Sequence, residues 1–364
     1  MWERIGITME KKIQITTCPT CGADMKYSPA TGGLVCDYCN SHKEIIREKT
    51  INETDLNEVI RRGVREWQKD DILLARCENC GAELVFEPTS QAKNCHYCGS
   101  ASINLISAED TIAPGYVIPF SIQKTEALQA FDKWIKKKFF APSQLKKMLK
   151  LDKLQGLYIP FWTFDADVRG HYTAERGDYY YVTKTREVDG KTETYQERHT
   201  RWTFVSGEYE KFFDDTVVLA SSKIDAQIAQ KMSDFKFEEL VQYKPEFLAG
   251  FVAEKYSVPL EEGWQRAKKE IADEAVMDIR HQIGGDEISG LEYELDYQNQ
   301  TFKHLLLPIW MTGFNYKEKV YHVMINGSLG EVEGEYPKSV FKILLTIALI
   351  AAGIGGAYYW MTRY

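Results

Sequence analysis

Residues 18–41 read CPTCGADMKYSPATGGLVCDYCNS, and residues 77–100 read CENCGAELVFEPTSQAKNCHYCGS. The two stretches are copies of one pattern. Each holds two Cys-x-x-Cys pairs with 14 residues between them, so that Cys18, Cys21, Cys36 and Cys39 recur as Cys77, Cys80, Cys95 and Cys98. Two cysteines three positions apart can turn both sulfurs toward one point. The glycine after the second sulfur, Gly22 or Gly81, lets the backbone double back without steric cost. Two such knuckles joined by a short hairpin give four thiolates in a tetrahedron, the closed geometry of structural Zn²⁺. Met25 and Tyr27 alternate between the knuckles of the first copy, as Leu84 and Phe86 do in the second, which suits a strand. A metal contributes roughly 10–16 kcal/mol of apparent binding energy at neutral pH, more than so small a module draws from its own apolar core.

Other uses of the cysteines fit less well. A disulfide framework needs an oxidising compartment, and no secretory signal is expected ahead of the cysteines, the eight residues before Met9 being too short and polar for one. Iron also accepts four thiolates, but the short duplicated loop favours zinc. Four thiolates leave no open coordination position, so the metal is expected to be structural. All eight cysteines fall in these stretches, and none is left over as a nucleophile.

The other decisive stretch is ILLTIALIAAGIGGAYYWM, Ile343 to Met361, a run of 19 residues without a charge. As a helix it spans ~28 Å, close to the ~30 Å hydrocarbon core of a bilayer. Tyr358, Tyr359 and Trp360 stand at one end, where aromatic rings prefer the interface. Lys338 and Lys342 flank the other, where Lys342 can snorkel. This predicts a single-pass tail anchor. Two lysines before the span against one arginine after it, together with the need to keep thiolates reduced, put the bulk of the chain in the cytoplasm. Ala348, Ala352 and Gly356 lie four apart and permit close helix approach, which suits a homo-oligomer.

With 364 residues, 44% of them hydrophobic, the chain is long enough for several folded units. Its formal net charge of -8 argues against an electrostatic nucleic-acid binder. The predicted organisation is α+β: zinc ribbon 1 at 14–41, a helical connector at 42–74, zinc ribbon 2 at 75–103, an α+β domain with two related β units at 104–337, and a transmembrane anchor at 338–364. Met9 offers an alternative start to Met1. Within the connector, Leu56, Val59, Ile60 and Val64 predict a helix over 55–67. Ser121 is the expected N-cap of a helix whose stripe is Leu128, Phe131, Ile135 and Phe139, followed by a shorter helix in QLKKMLK. Residues 221–243 read as helical. A longer helix runs from Pro259 to Ile283, with Leu260, Trp264, Ala267, Ile271, Ala275 and Ile279 inward and Gly284–Gly285 ending it. An internal echo links LYIPFW (from Leu157) to LLPIW (from Leu306). Each puts proline just ahead of tryptophan at the head of a long alternating strand, the second running to a turn at Asn326–Gly327.

Residues with chemistry to offer are scattered. Lys133, Lys136, Lys137, Lys138, Lys146, Lys147, Lys150 and Lys153 form a basic block. It reads first as a solvated helix face, and otherwise as a surface for anionic lipid headgroups or nucleic acid, of which the tail anchor favours lipid. Asp165 and Asp167 share a strand face and Asp214–Asp215 adjoin a turn, without a partner motif that makes them an acid–base pair. His96, His171, His199, His281, His304 and His322 show no metal-ligand spacing. Gly190–Lys191–Thr192 ends like a phosphate loop but lacks its first glycine.

The paired cysteines resemble zinc ribbons of the general-transcription-factor (TFIIB) type. Together with YIPFW, LLPIW and the apolar tail, they resemble a group of bacterial double zinc-ribbon proteins anchored in the membrane. That resemblance implies partners in membrane-stress response, of phage-shock-type or flotillin-like kind. The expected function is a non-enzymatic adaptor that recruits cytoplasmic proteins to the membrane. The alternative is a membrane-tethered zinc-ribbon protein of replication or transcription that binds nucleic acid.

Overall fold

The computed structural model describes residues 16–62, 73–86, 95–97, 100–106, 113–142, 154–188, 191–224, 235–316 and 319–363. In chain order the elements are β1 (Met25–Ser28), β2 (Gly33–Cys36), β3 (His42–Lys43), β4 (Thr54–Asp55), α1 (Leu56–Arg62), β5 (Leu73–Cys77), β6 (Glu83–Phe86), β7 (Ile103–Ile106), β8 (Tyr116–Val117) and α2 (Lys124–Lys137). They continue as β9 (Gln155–Val188), β10 (Lys191–Leu219), β11 (Val241–Gln242), β12 (Val252–Glu254), α3 (Leu260–Ile283), β13 (Glu287–Tyr316), β14 (Lys319–Asn326), β15 (Val332–Gly334) and α4 (Val340–Arg363). The class is α+β around a mixed sheet.

Its spine is the antiparallel pair β9–β13, and the echoed segments meet face to face there. Ile159 lies opposite Leu307, Pro160 opposite Leu306 and Pro308 opposite Tyr158, so a local two-fold axis passes through the Ile159–Leu307 pair. Beyond the spine the neighbours repeat. β12 runs parallel to β9 at Leu157–Tyr158 and β10 pairs with β9 from Phe161 onward. β8 runs parallel to β13 at Leu305–Leu306 and β14 pairs with β13 from Ile309 onward. Each proline falls in the gap between two outer neighbours, where a strand needs no N–H. The carbonyls of the two prolines do equivalent work: Pro160 O accepts from Ala220 N (3.0 Å) and Pro308 O from Gly327 N (2.8 Å). The tryptophans match as well, Trp162 Nε1 donating to Val258 O at 3.0 Å and Trp310 Nε1 to Ile122 O at 2.8 Å. The two echoed segments therefore have matching neighbours, and the helices that precede their strands cross over. α2 of the first unit packs on β14 and β15, and α3 of the second packs on β9 and β10.

α3 follows its sequence pattern. Pro259 is its N-cap, Gly284 (φ 65°) its C-cap, and all six predicted inward residues are buried, beneath Trp162, Phe164, Ala166 and Val168. Other expectations need correction. α2 starts at Lys124, with Gln123 as N-cap; the Glu126 carboxylate accepts from Gln123 N at 2.7 Å. Ser121 instead donates its hydroxyl to Glu239 and its N–H to Gly327 O. Phe131 and Ile135 are buried, Leu128 only in part, and Phe139 is exposed beyond the helix end. The described part of 221–243 holds a single 3₁₀ turn at Phe237–Glu239 and then β11, because Val241 pairs with Val117. The connector carries β3 and β4 as well as α1, which begins at Leu56. The turn after β14 is built by Asn326 Oδ1, which accepts from the N–H groups of Ser328 and Leu329, with Gly330 rather than Gly327 in the left-handed region. Residues 63–67 of the predicted connector helix, the QLKKMLK helix, Lys146, Lys147, Lys150, Lys153, Gly190, Met1 and Met9 lie outside the described residues.

Candidate metal centres

In the first ribbon, β1–β2–β3 form a separate small sheet that brings the knuckles together. Cys18, Cys21, Cys36 and Cys39 place all four sulfurs within 4.8 Å of one another. Cys18 and Cys39 are 3.4 Å apart and Cys21 and Cys36 3.5 Å apart. A tetrahedron with metal–sulfur bonds of ~2.3 Å has edges of ~3.8 Å, so the four atoms need only small adjustments to enclose an ion. The first knuckle closes through Gly22 N to Cys18 O (2.9 Å), and Gly22 takes φ 74° as its position requires. Asn40 (φ 58°) makes the matching turn after Cys39, its N–H on Cys36 O. Although desolvation opposes it, the backbone amides of Cys21 and Thr20 aimed at Cys18 bring its thiol down to about 6. Cys21 is driven the other way, to about 12: the Ala23 amide favours its thiolate, but the sulfurs of Cys36 and Cys39 outweigh it. Four sulfurs this close cannot all ionise without a cation between them, which is the condition a metal satisfies.

In the second ribbon Cys77, Cys80 and Cys95 place their sulfurs within 4.8 Å of one another, Cys80 and Cys95 being 3.6 Å apart. Gly81 (φ 68°) turns the first knuckle, its N–H on Cys77 O at 2.8 Å. Cys98, the predicted fourth ligand, lies outside the described residues. Two cysteine groups are thus built to hold metal ions.

Neither ribbon stands apart. Ribbon 1 inserts Tyr27 between Phe247 and Phe251, with its hydroxyl on Phe120 O at 3.0 Å. Ribbon 2 continues the main sheet, since β6 pairs with β12 and β12 with β9. A buried carboxyl fastens it further. Glu254, 3% exposed, accepts hydrogen bonds from Tyr97 of the ribbon and from Ser221 Oγ at 2.7 Å. Burial pushes Glu254 up to about 7 and Tyr97 well above the usual tyrosine range.

The acidic residues noted in the sequence meet a lysine. Lys303, 3% exposed, lies 2.8 Å from Asp215, 3.3 Å from Glu53 and 3.4 Å from Asp165. Burial works against its charge, but the three carboxylates overcome it and hold Lys303 above the ordinary lysine range. Asp165 also accepts from Asp215 N and Thr301 Oγ1. Burial, with Asp215 and Asp165 beside it, raises Asp214. Glu53, Asp165 and Asp214 also lie close enough to share a cation, but the ammonium already fills that electrostatic role, and the cluster acts as a pin between the segment ahead of α1 and the spine. Asp167, on the same face, takes a hydrogen bond from Asn299 instead. Glu53, Lys303, Glu254 and Tyr97 carry no signal in the sequence: Lys303 lies 138 residues from Asp165 and 250 from Glu53, and Glu254 lies 157 from Tyr97. Among the histidines, His304 packs on Trp162, His199 stacks on Tyr180 and His171 faces Glu294.

α4 is the one helix among the described residues long and apolar enough to cross a membrane, and none of its residues is buried against the rest of the chain. No family model matches the chain, and no solved structure matches it. It is 31% identical over 345 residues to the uncharacterized protein YdjG of Bacillus subtilis (strain 168), an alignment covering 92% of this chain and 94% of that protein. The chain therefore belongs to the YdjG family.

Proposed function

We propose that the chain is a membrane-anchored adaptor that gathers cytoplasmic proteins at the bilayer. The observation that carries this reading is α4, 24 residues without a buried side chain. An apolar helix left bare in water is costly, and a bilayer removes that cost. The anchor leaves the rest of the chain on one side, where reduced thiolates call for the cytoplasm. In each ribbon the ion is Zn²⁺, bound by thiolates alone in the TFIIB manner, and it stiffens rather than reacts. Cys98 completes the second set.

The surface for a protein partner is the arm made by β9 and β10. Its solvent face carries Tyr181, Trp202, Phe204 and Phe212, all large and exposed. Glu175, Glu208 and Glu210 share that face, as do Glu292 and Glu294 where β13 joins it. Exposed aromatic rings within a charged field are a protein-recognition surface, and the acidic excess suits a basic partner and repels nucleic acid. The resemblance to membrane-anchored double ribbons directs the search to phage-shock-type and flotillin-like proteins under envelope stress. Crosslinking in intact membranes, followed by identification of neighbours, tests the reading. Partners recovered with the wild type are expected to be lost with the double change Trp202→Ala and Phe204→Ala, and reduced with Cys18→Ser and Cys77→Ser. Recovery of no protein partner from stressed cells would overturn it.

A further inference from the structure

The C-terminal end of α2 is fastened to the root of α4. Lys342 Nζ donates to the carbonyls of Phe139 (3.0 Å) and Ala141 (2.8 Å), and Phe140 O accepts from Ser339 N at 2.7 Å. Just upstream, Tyr336 meets Trp134 edge to face at 5.8 Å, and Lys138 sits over both rings, 4.9 Å from Trp134 and 5.8 Å from Tyr336. This junction gathers Lys133, Lys136, Lys137, Lys138 and Lys338, all but Lys138 exposed. Next to them stands Phe139, 66% exposed, close to Val340 and Phe341 at 64% and 75%.

The fold makes little use of these exposed groups: Lys136 pairs with Asp132, and Phe139 meets Phe140 edge to face at 5.2 Å with Lys342 5.8 Å from its ring. The buried face of α2 is Ala127, Phe131 and Ile135. Lysines at a helix C-terminus do offset its dipole, which explains the charge but not a bare phenylalanine among them. Asp132 is engaged by Lys136 and so offsets one of the five lysines at the junction, and Glu126 lies at the far end of the helix, bound to Gln123 N. A bilayer that takes up α4 from about Val340 puts Phe139 at the acyl boundary and the lysines among the headgroups. That is the side-chain arrangement of an interfacial anchor.

From this geometry we infer that the end of α2, with Phe139 and Lys338, is a second membrane contact that binds anionic lipid headgroups and fixes the angle of the folded domain to the bilayer. The inference rests on α4 spanning the membrane. It is tested with the full chain reconstituted into vesicles of phosphatidylcholine alone, or with roughly one third phosphatidylglycerol, a surface charge that attracts nearby lysines. A membrane-impermeant amine reagent labels the exposed lysines, and mass spectrometry reads each rate. In the anionic vesicles Lys133, Lys136 and Lys137 are expected to react at least about threefold more slowly than in the neutral ones. Lys184 and Lys191 on the distant β9–β10 hairpin serve as references and should not change. Phe139→Ser should remove most of the protection, and so should salt near ~1 M. Equal rates in both vesicles, with the protein resisting an alkaline wash, overturn this contact and leave the anchor standing. Release of the protein by the wash overturns both.

Discussion

Glu254 has almost no water around it, and the only hydrogen bonds its carboxyl accepts in the described structure come from two hydroxyls, Tyr97 and Ser221. Desolvation raises it to about 7 from an ordinary 4.5, with Lys223 and the hydroxyls pulling weakly the other way. Between those two values the folded state holds a proton that the unfolded chain releases. The contribution of this group to stability is therefore complete below pH 4.5 and is lost as pH rises through 7. Comparing the wild type with Glu254→Gln isolates it. The stability difference, wild type minus variant, should fall by about 2 kcal/mol between pH 5.5 and 8, a window chosen to keep the ribbon thiolates on their metal. Denaturant titrations at several pH values give the answer, and a difference that stays flat would mean that Glu254 is ionised and hydrated throughout. No reading of the sequence finds this residue. A lone glutamate in VAEKY looks like any surface acid, and what buries it is the return of Tyr97 from 157 positions away. The cysteines are the opposite case, since their chemistry resides in local spacing and needs no distant partner to be recognised.

At the scale of elements, the β9–β10 hairpin outruns everything that supports it. α3 and β13 cover it up to Gly177, and from Asp178 to Arg201 no side chain in the described pair is buried. Tyr179 still reaches Asp286 and Glu287, and beyond it the described ribbon is held by cross-strand contacts, such as His199 on Tyr180 and Lys184 to Glu197 at 2.6 Å. Exposed pairs of this kind contribute little, because solvent screens them and ordering the side chains offsets their gain. Replacing residues 180–199 by Asn-Gly, which joins the paired Tyr179 and Thr200 by a two-residue turn, should change folding stability by less than about 1 kcal/mol. It removes Tyr181 from the recognition face and keeps Trp202, Phe204 and Phe212, so it should weaken the crosslinks that depend on the arm less than Trp202→Ala with Phe204→Ala does. A large loss of stability would show that the arm is a structural element, not a recognition element. The alternation that makes these strands was legible in the sequence, as was α3 with its proline start and glycine stop. Their length and pairing were not. A period of two says that a segment is a strand, but β13, the partner on the other edge of β9, pairs with residues more than a hundred positions away. The short elements failed for the same reason: Val241 pairs with Val117 instead of joining a helix.

At the scale of the whole molecule, the doubled ribbons serve a doubled domain in two different ways. Ribbon 1 keeps its own sheet and reaches the core through Tyr27, whose N–H also bonds Ala249 O at 2.9 Å. Ribbon 2 is part of the main sheet, since Val85 pairs with Ala253 and Ala253 with Tyr158 of the spine. The sequence announces the duplication in its cysteines and in its two Pro-x-Trp segments, but Tyr27 and Val85 look like any strand residue, and nothing local says where they dock. The two attachments predict different damage when a ligand sulfur is removed. A ribbon that loses its metal loses the bulk of its folding energy, and the loss should travel as far as its hydrogen-bonded continuity. Cys77→Ser should therefore raise amide exchange in Val252–Glu254 and at Leu157–Tyr158, deep in the spine. Cys18→Ser should raise it in β1 and β2 and leave the spine protected, because among the described residues that sheet meets the core through packed side chains and no strand pairing joins it to the central sheet. Hydrogen exchange on the full chain in detergent, with the two variants side by side, separates these outcomes. Equal damage to the spine from both changes would mean that ribbon 1 is as much a part of the central sheet's stability as ribbon 2, and the asymmetry argued from the strand pairings would be wrong.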